Sequence, residues 1–183
     1  TISTDGSAPT GYDTLADCLD SITADTGNYV KIYQDIGDAS ATAILDTIDV
    51  KHNVMIDLNG HKLNNIKLGV NKLGVNKDVT LTLTGTAGSY VTQVYVRKGG
   101  GSFIIDSEAN VEFNTIFVED SARLAVNDGA KVTTEQLTVI ASVNDDGTTT
   151  TSVKLATGMK LGGLTYHRQN NSGVLKLGNL LDV

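Results

Sequence analysis

Laying Ser102–Ser121 over Arg123–Ser142 puts apolar residues on apolar residues at a constant offset of 21. Phe103 falls on Leu124, Ile105 on Val126, Ala109 on Ala130, Val111 on Val132, Ile116 on Leu137 and Val118 on Val139. A fixed period of this length marks a chain built from stacked copies of one supersecondary unit, so it limits the fold more than any composition does. Within each unit the apolar residues alternate in three short runs, which predicts three strands and a three-sided turn of a solenoid. A β-sandwich also supplies many short strands, but it does not require such a period. One unit alone buries too little to offset the ordering of its own backbone. Stacked neighbours share a core and continuous inter-strand hydrogen bonds.

The register extends both ways. Leu81 and Leu83 precede Phe103 and Ile105 by 22, as Val94 and Val96 precede Ile116 and Val118. Further upstream, Val54, Ile56 and Leu58 match Val79, Leu81 and Leu83 at an offset of 25. The extra length has a visible source, because Leu68-Gly-Val-Asn-Lys72 is repeated as Leu73-Gly-Val-Asn-Lys77. Five residues inserted within a strand would reverse every side chain, so at least one copy is expected in a loop. After the polar insertion Asn144–Thr151, the pattern resumes with Val153, Leu155, Leu161, Leu164 and Tyr166. Asn59, Thr84, Asp106 and Asn127, each followed by Gly60, Gly85, Ser107 or Asp128, predict a polar column at one corner, suited to turns.

Ahead of the repeats, Thr10-Gly-Tyr-Asp13 has the form of a helix N-cap, and Leu15, Cys18, Leu19 and Ile22 follow at helical spacing before Gly27. The expected organisation is one domain overall. Residues 1–27 form an N-terminal segment with a capping α-helix, and residues 28–183 form an all-β parallel solenoid of about six rungs.

Aromatic residues make up 5% of the chain and Trp is absent, so the core must come mostly from Val, Ile and Leu. A net charge of -7 argues against nucleic acid, which needs clustered Lys and Arg. The only cysteine, Cys18, allows no internal disulfide, and its place on the helix stripe predicts an inert buried thiol. There is no run of 18 apolar residues to span a membrane. Beginning at Thr1 with no basic and apolar leader, the chain is expected to be a processed or trimmed piece.

The segments Tyr29-Val-Lys-Ile-Tyr-Gln-Asp35 and Ile48-Asp-Val-Lys-His-Asn-Val-Met-Ile-Asp-Leu-Asn-Gly-His-Lys-Leu63 resemble the opening rungs of pectin-lyase-like β-helix regions in bacterial surface proteins. The likeness covers roughly residues 28 to 65; beyond that only the periodicity carries it. It implies a single-stranded right-handed parallel β-helix with an N-terminal capping helix, exported to an extracellular or cell-surface setting. No catalytic residue of that family transfers to this chain.

Enzymes of that architecture need acids clustered on one outward face. The outward positions read from the register are Asp57, Thr82, Ile104 and Ala125 on the first strand column, and pairs such as Glu112 with Thr133 and Asn110 with Lys131 on the second, which give no cluster. No catalytic activity and no cofactor are expected. His52, His61 and His167 lie on different units without metal-ligand spacing, and no metal is expected. Asn144, Asp145 and Asp146 lack a distal Glu and read as a solvated turn rather than a calcium loop. Gly99-Gly-Gly101 lacks the Lys and helix of a phosphate cradle and reads as a corner.

On the third column Lys67, Tyr95, Phe117, Thr138 and Thr165 are expected to stack outward, which makes Tyr95 and Phe117 the candidate ligand-binding residues. The function that follows is a non-catalytic structural or adhesive module. The alternatives are a glycan-binding module using Tyr95 and Phe117, and a fragment of a polysaccharide lyase or hydrolase. A glycan or a host or cell-surface protein are the partners to expect.

Overall fold

The computed structural model describes residues 2–3, 10–36, 47–63, 72–170 and 181–182. Among the described residues the structure is mostly β, in two sheets. The first sheet orders β1 (Ile2–Ser3), β2 (Tyr29–Lys31), β4 (Val54–Asp57), β7 (Thr80–Thr84), β9 (Ser102–Ile105), β11 (Arg123–Val126), β13 (Ser152–Lys154) and β16 (Leu181–Asp182). The second orders β3 (Thr47–Val50), β6 (Lys72–Val75), β8 (Ser89–Val96), β10 (Asn110–Val118), β12 (Lys131–Ala141) and β14 (Lys160–Leu161). Two further strands join it, β5 (Lys62–Leu63) on β8 and β15 (Leu164–Arg168) on β12. All strand-to-strand pairings are parallel except β1 with β2.

The 21-residue register is the hydrogen-bonding register. Phe103 pairs with Leu124, Ile105 with Val126, Val111 with Val132, Ile116 with Leu137 and Val118 with Val139. The 22-residue step holds as well, with Leu81 on Phe103, Leu83 on Ile105, Val94 on Ile116 and Val96 on Val118. Between β11 and β13 the step lengthens from 21 to 29, because Arg123 pairs with Ser152. The difference of eight is the length of the polar insertion Asn144–Thr151.

Four expectations are corrected. Val54 pairs with Leu81 and Ile56 with Leu83, a step of 27 rather than 25, so Asp57 lies beside Thr84 and not Thr82. Asp57 thereby takes the place expected of Asn59 beside Thr84. The second and third strands of a unit are not separate in β8, β10 and β12 but form one long strand in one sheet. Its inward and outward alternation slips at Asn114 and Thr115, both half-exposed between buried Phe113 and Ile116, and the slip marks the corner. The helix N-cap is Thr14, not Thr10: α1 spans Leu15–Asp20, and Thr14 Oγ1 accepts from Asp17 N at 3.0 Å. Thr14-Leu-Ala-Asp17 repeats the Thr-x-x-Asp spacing directly against the apolar stripe, so it is the better placed cap. On the third column the neighbour of Tyr95 is Gly74; Lys67 lies outside the described residues, as does the first Leu-Gly-Val-Asn-Lys copy apart from Lys72.

The core is one apolar cluster fed by inward residues of both sheets. Phe103 of β9 meets Phe113 of β10 edge to face, with centroids 5.9 Å apart. Leu15, Cys18, Leu19 and Ile22 are buried in the same cluster, and α1 packs beside β3. Burial pushes the Cys18 thiol above its ordinary pKa. Thus the apolar stripe of α1, continued by Ile22 just beyond it, is part of the core.

Candidate functional site

Strand alternation dictates the site. Val94, Val96, Ile116 and Val118 are fully buried, so the intervening Tyr95 and Phe117 point outward, and the parallel register sets them side by side. Their rings stack, with centroids 4.6 Å apart and planes within 5°. Both are half-exposed. The stack uses one face of each ring. The outer face of Tyr95 lies on the Gly74 side and that of Phe117 on the Thr138 side.

Charged groups border the stack. Tyr95 Oη donates to Glu119 Oε1 at 2.6 Å, and the other oxygen of that carboxylate accepts from Lys98 N at 2.7 Å. Burial and the Glu119 carboxylate together push the Tyr95 hydroxyl up to about 12. Arg97 Nη2 donates to Asp49 Oδ1 at 2.6 Å, two strands away, with side-chain-free Gly74 between Asp49 and Tyr95 in the register. Arg97 Nε is buried without a hydrogen-bond partner. Arg97 and Glu119 also line a shallow surface with Lys51, Lys77 and Lys98, to which neither ring contributes. The arrangement can offer ring surface with both a carboxylate and cations at its rim, the combination that suits a polar ring with hydroxyl groups. Glu119 and Arg97 were not singled out from the sequence, although each lies two residues beyond an aromatic on the same outward face.

The other candidates are committed to structure. Asp57 accepts from Tyr29 Oη at 2.9 Å and from Asn59 N at 2.8 Å, with Lys31 Nζ at 3.7 Å. Burial, then the bond to Asp57, raises the Tyr29 hydroxyl to about 12. His52 Nδ1 lies 3.0 Å from Asp25 and His61 Nδ1 lies 3.2 Å from Asp35. Each aspartate also accepts the next backbone N–H, from Asn53 and Lys62, and those bonds lead in holding both carboxyls below the usual range. These are latches between neighbouring strands. His167 sits apart on β15.

The Asn144–Thr151 insertion is a small hairpin. Val143 bridges Thr149, Gly147 has φ 84°, and Asp146 Oδ1 accepts from Thr148 N at 2.9 Å. Asp120 pins it through Ser142 N at 2.9 Å and through Thr150 Oγ1. No group of three His, Cys, Asp or Glu side chains poised for a metal occurs among the described residues. The glycine run is explained by crowding, since a Cβ at Gly101 would meet Arg97 O at 2.8 Å and Gly100 has φ 94°. No helix among the described residues is long and apolar enough to cross a membrane. No protein-family model, curated protein or solved structure matches this chain.

Proposed function

We propose that the chain closes into a right-handed parallel β-helix of about six rungs, capped by α1, and that this solenoid is a non-catalytic structural or adhesive module of a secreted or surface-anchored bacterial protein. The observation that carries the reading is that through the middle of the chain both sheets advance by the same step. β9 to β11 and β10 to β12 each move 21 residues, and β7 to β9 and β8 to β10 each move 22. A chain that visits each sheet once per step and always lands parallel to its previous visit is one winding around a common core. The likeness of residues 28 to 65 to surface-protein β-helices supports the setting, with Val54–Asp57 and Lys62–Leu63 flanking the Asn-Gly turn of the motif.

The outward columns support a presenting role rather than chemistry. Met55, Thr82, Ile104, Ala125 and Lys154 follow one another along the first sheet, and Ala125, expected to face outward, is itself buried at 3% exposure. Such a face is rigid and chemically quiet. The test is incubation of the purified chain with pectate, alginate and related uronate polymers, with and without calcium. No unsaturated product or reducing end is expected; saturable release lost on changing one acidic residue would overturn the reading and favour the lyase or hydrolase alternative.

A second reading, glycan binding at Tyr95 and Phe117, is favoured by their stack and its charged rim. Tyr95→Ala and Phe117→Ala would each weaken glycan affinity by about 1 to 3 kcal/mol with little change in thermal unfolding.

A further inference from the structure

The large apolar side chains that stay exposed among the described residues are Tyr12, Tyr33 and Leu164. Tyr12 and Tyr33 line a cleft of about 360 Å³ with Leu15, Val30 and Ile32 at the N-terminal end, where α1 and β2 lie. Leu164 belongs to β15, at the other end of the second sheet. There β14 and β15 have no strand partner on their outer side among the described residues. Leu161 and Tyr166 are only partly buried beside Leu164. The long sides of the molecule carry no comparable exposed apolar group among the described residues.

Charge separates the two ends. Among the described residues of the N-terminal end there are Asp13, Asp17, Asp20, Asp25 and Asp35 against Lys31 and Lys51, and Lys51 is paired with Asp20. Among the described residues from Gly147 onward there are Lys154, Lys160 and Arg168 against one acid, Asp182. In a chain of net charge -7 the last stretch is therefore a basic end, and the acidic excess sits at the opposite end. Two apolar ends of the same sign would repel one another. Ends of opposite sign attract, and they bring an apolar cleft to an apolar strand edge.

We propose that copies of this chain associate head to tail, the acidic N-terminal end with Tyr12 and Tyr33 seating on the basic C-terminal end at β14 and β15. The contact is heterologous, because the two surfaces differ, and each copy keeps one of each free, so association is open-ended. The inference rests on the strand order and the charges, and stands whether the module is adhesive or structural.

Sedimentation velocity on the 183-residue chain tests it. The weight-average sedimentation coefficient should rise with protein concentration. It should fall back toward the monomer value between about 50 mM and about 500 mM salt, where screening shortens the reach of the end charges. Lys160→Glu with Arg168→Glu, both exposed, should weaken association at least about tenfold while circular dichroism stays native. The decisive arm mixes two blocked variants, Tyr33→Asp and Leu164→Asp. Each alone should stay monomeric, and an equimolar mixture should form a dimer that does not grow. A chain that is monomeric at all concentrations overturns the proposal. So does a closed dimer that Leu164→Asp abolishes and Tyr33→Asp leaves intact, since that contact would join like ends.

Discussion

Leu137 on β12 and Leu164 on β15 are partners in the register, yet Leu137 is fully buried and Leu164 is 40% exposed. Val139 and Tyr166 repeat the contrast one pair further on, at 0% and half-exposed. The residues obey the same inward code. What differs is that, among the described residues, β12 has strands on both sides and β15 on one. At the opposite end, α1, with Leu15, Cys18 and Leu19 buried, packs beside β3, whose Val50 is fully buried, and β1 pairs with the outer side of β2, where Val30 is 1% exposed. Burial in this molecule is a property of stacking, and a position gains its worth from the neighbours before and after it.

The largest expected effect breaks the middle of the ladder. Val96→Asp puts a carboxylate with no partner into the shared core, where Val96 is fully buried between Val75 and Val118, and should cost several kcal/mol. Leu137→Ala should cost about 2 to 5 kcal/mol. Leu164→Ala removes the same atoms from a site already open to water, and should cost less than about 1 kcal/mol by lost area alone. Urea unfolding of the three variants measures the difference. Equal costs for Leu137→Ala and Leu164→Ala would mean that the exposed end is covered in solution at the concentrations used.

Much of this contrast is legible in the sequence, and the parts that are not fail for definite reasons. The steps of 21 and 22 are unambiguous because six apolar pairs fall in line. The step from β4 to β7 is not, because alternation has a period of two: offsets of 25 and 27 both keep Ile56 inward, and only hydrogen bonding separates them. The fusion of two strands in β8, β10 and β12 is hidden for a similar reason. A bend at Asn114–Thr115 reads in the sequence as the end of one alternating run and the start of another. Phe113 escaped notice because its partner at the 21-residue offset is the polar Thr134, although Val91 on the other side is buried and apolar. Tyr95 and Phe117 were readable from their flanks. Glu119 required knowing that the turn after β10 carries its carboxylate back to the Tyr95 hydroxyl.

The covered end gives a smaller effect. Thr14→Ala removes the oxygen that accepts from Asp17 N, and should cost about 1 kcal/mol. The loss should open α1 locally more than it lowers global stability, and Cys18 reports on it. The buried thiol, with its pKa raised, should react with a thiol reagent far more slowly in native than in denatured protein, and Thr14→Ala should accelerate only the native reaction. A native rate already equal to the denatured one would show that α1 does not close this end.

The smallest effect concerns tyrosine protons, and it also separates covered positions from the exposed end. Tyr29 and Tyr95 each donate to a carboxylate, Asp57 or Glu119, and both hydroxyls are raised to about 12. Tyr166, on the exposed strand β15, is raised chiefly by burial and donates only to Ala141 O at 3.4 Å. A folded-state value above the unfolded one means that the native state holds the proton more tightly. The corresponding stability is complete below the ordinary tyrosine value, about 10, and drains away as pH climbs from there toward about 12. Tyrosinate absorbance followed through alkaline pH should therefore show Tyr29 and Tyr95 ionising late in native protein, at about 12. Glu119→Gln removes the negative charge beside Tyr95 and should move that one hydroxyl down while leaving the late ionisation of Tyr29 in place. Tyr166→Phe should delete an earlier step and leave both late ones untouched. If Glu119→Gln leaves the late amplitude unchanged, the Tyr95 hydroxyl is not held by Glu119 in solution, and the charged rim of the aromatic stack is not the one described.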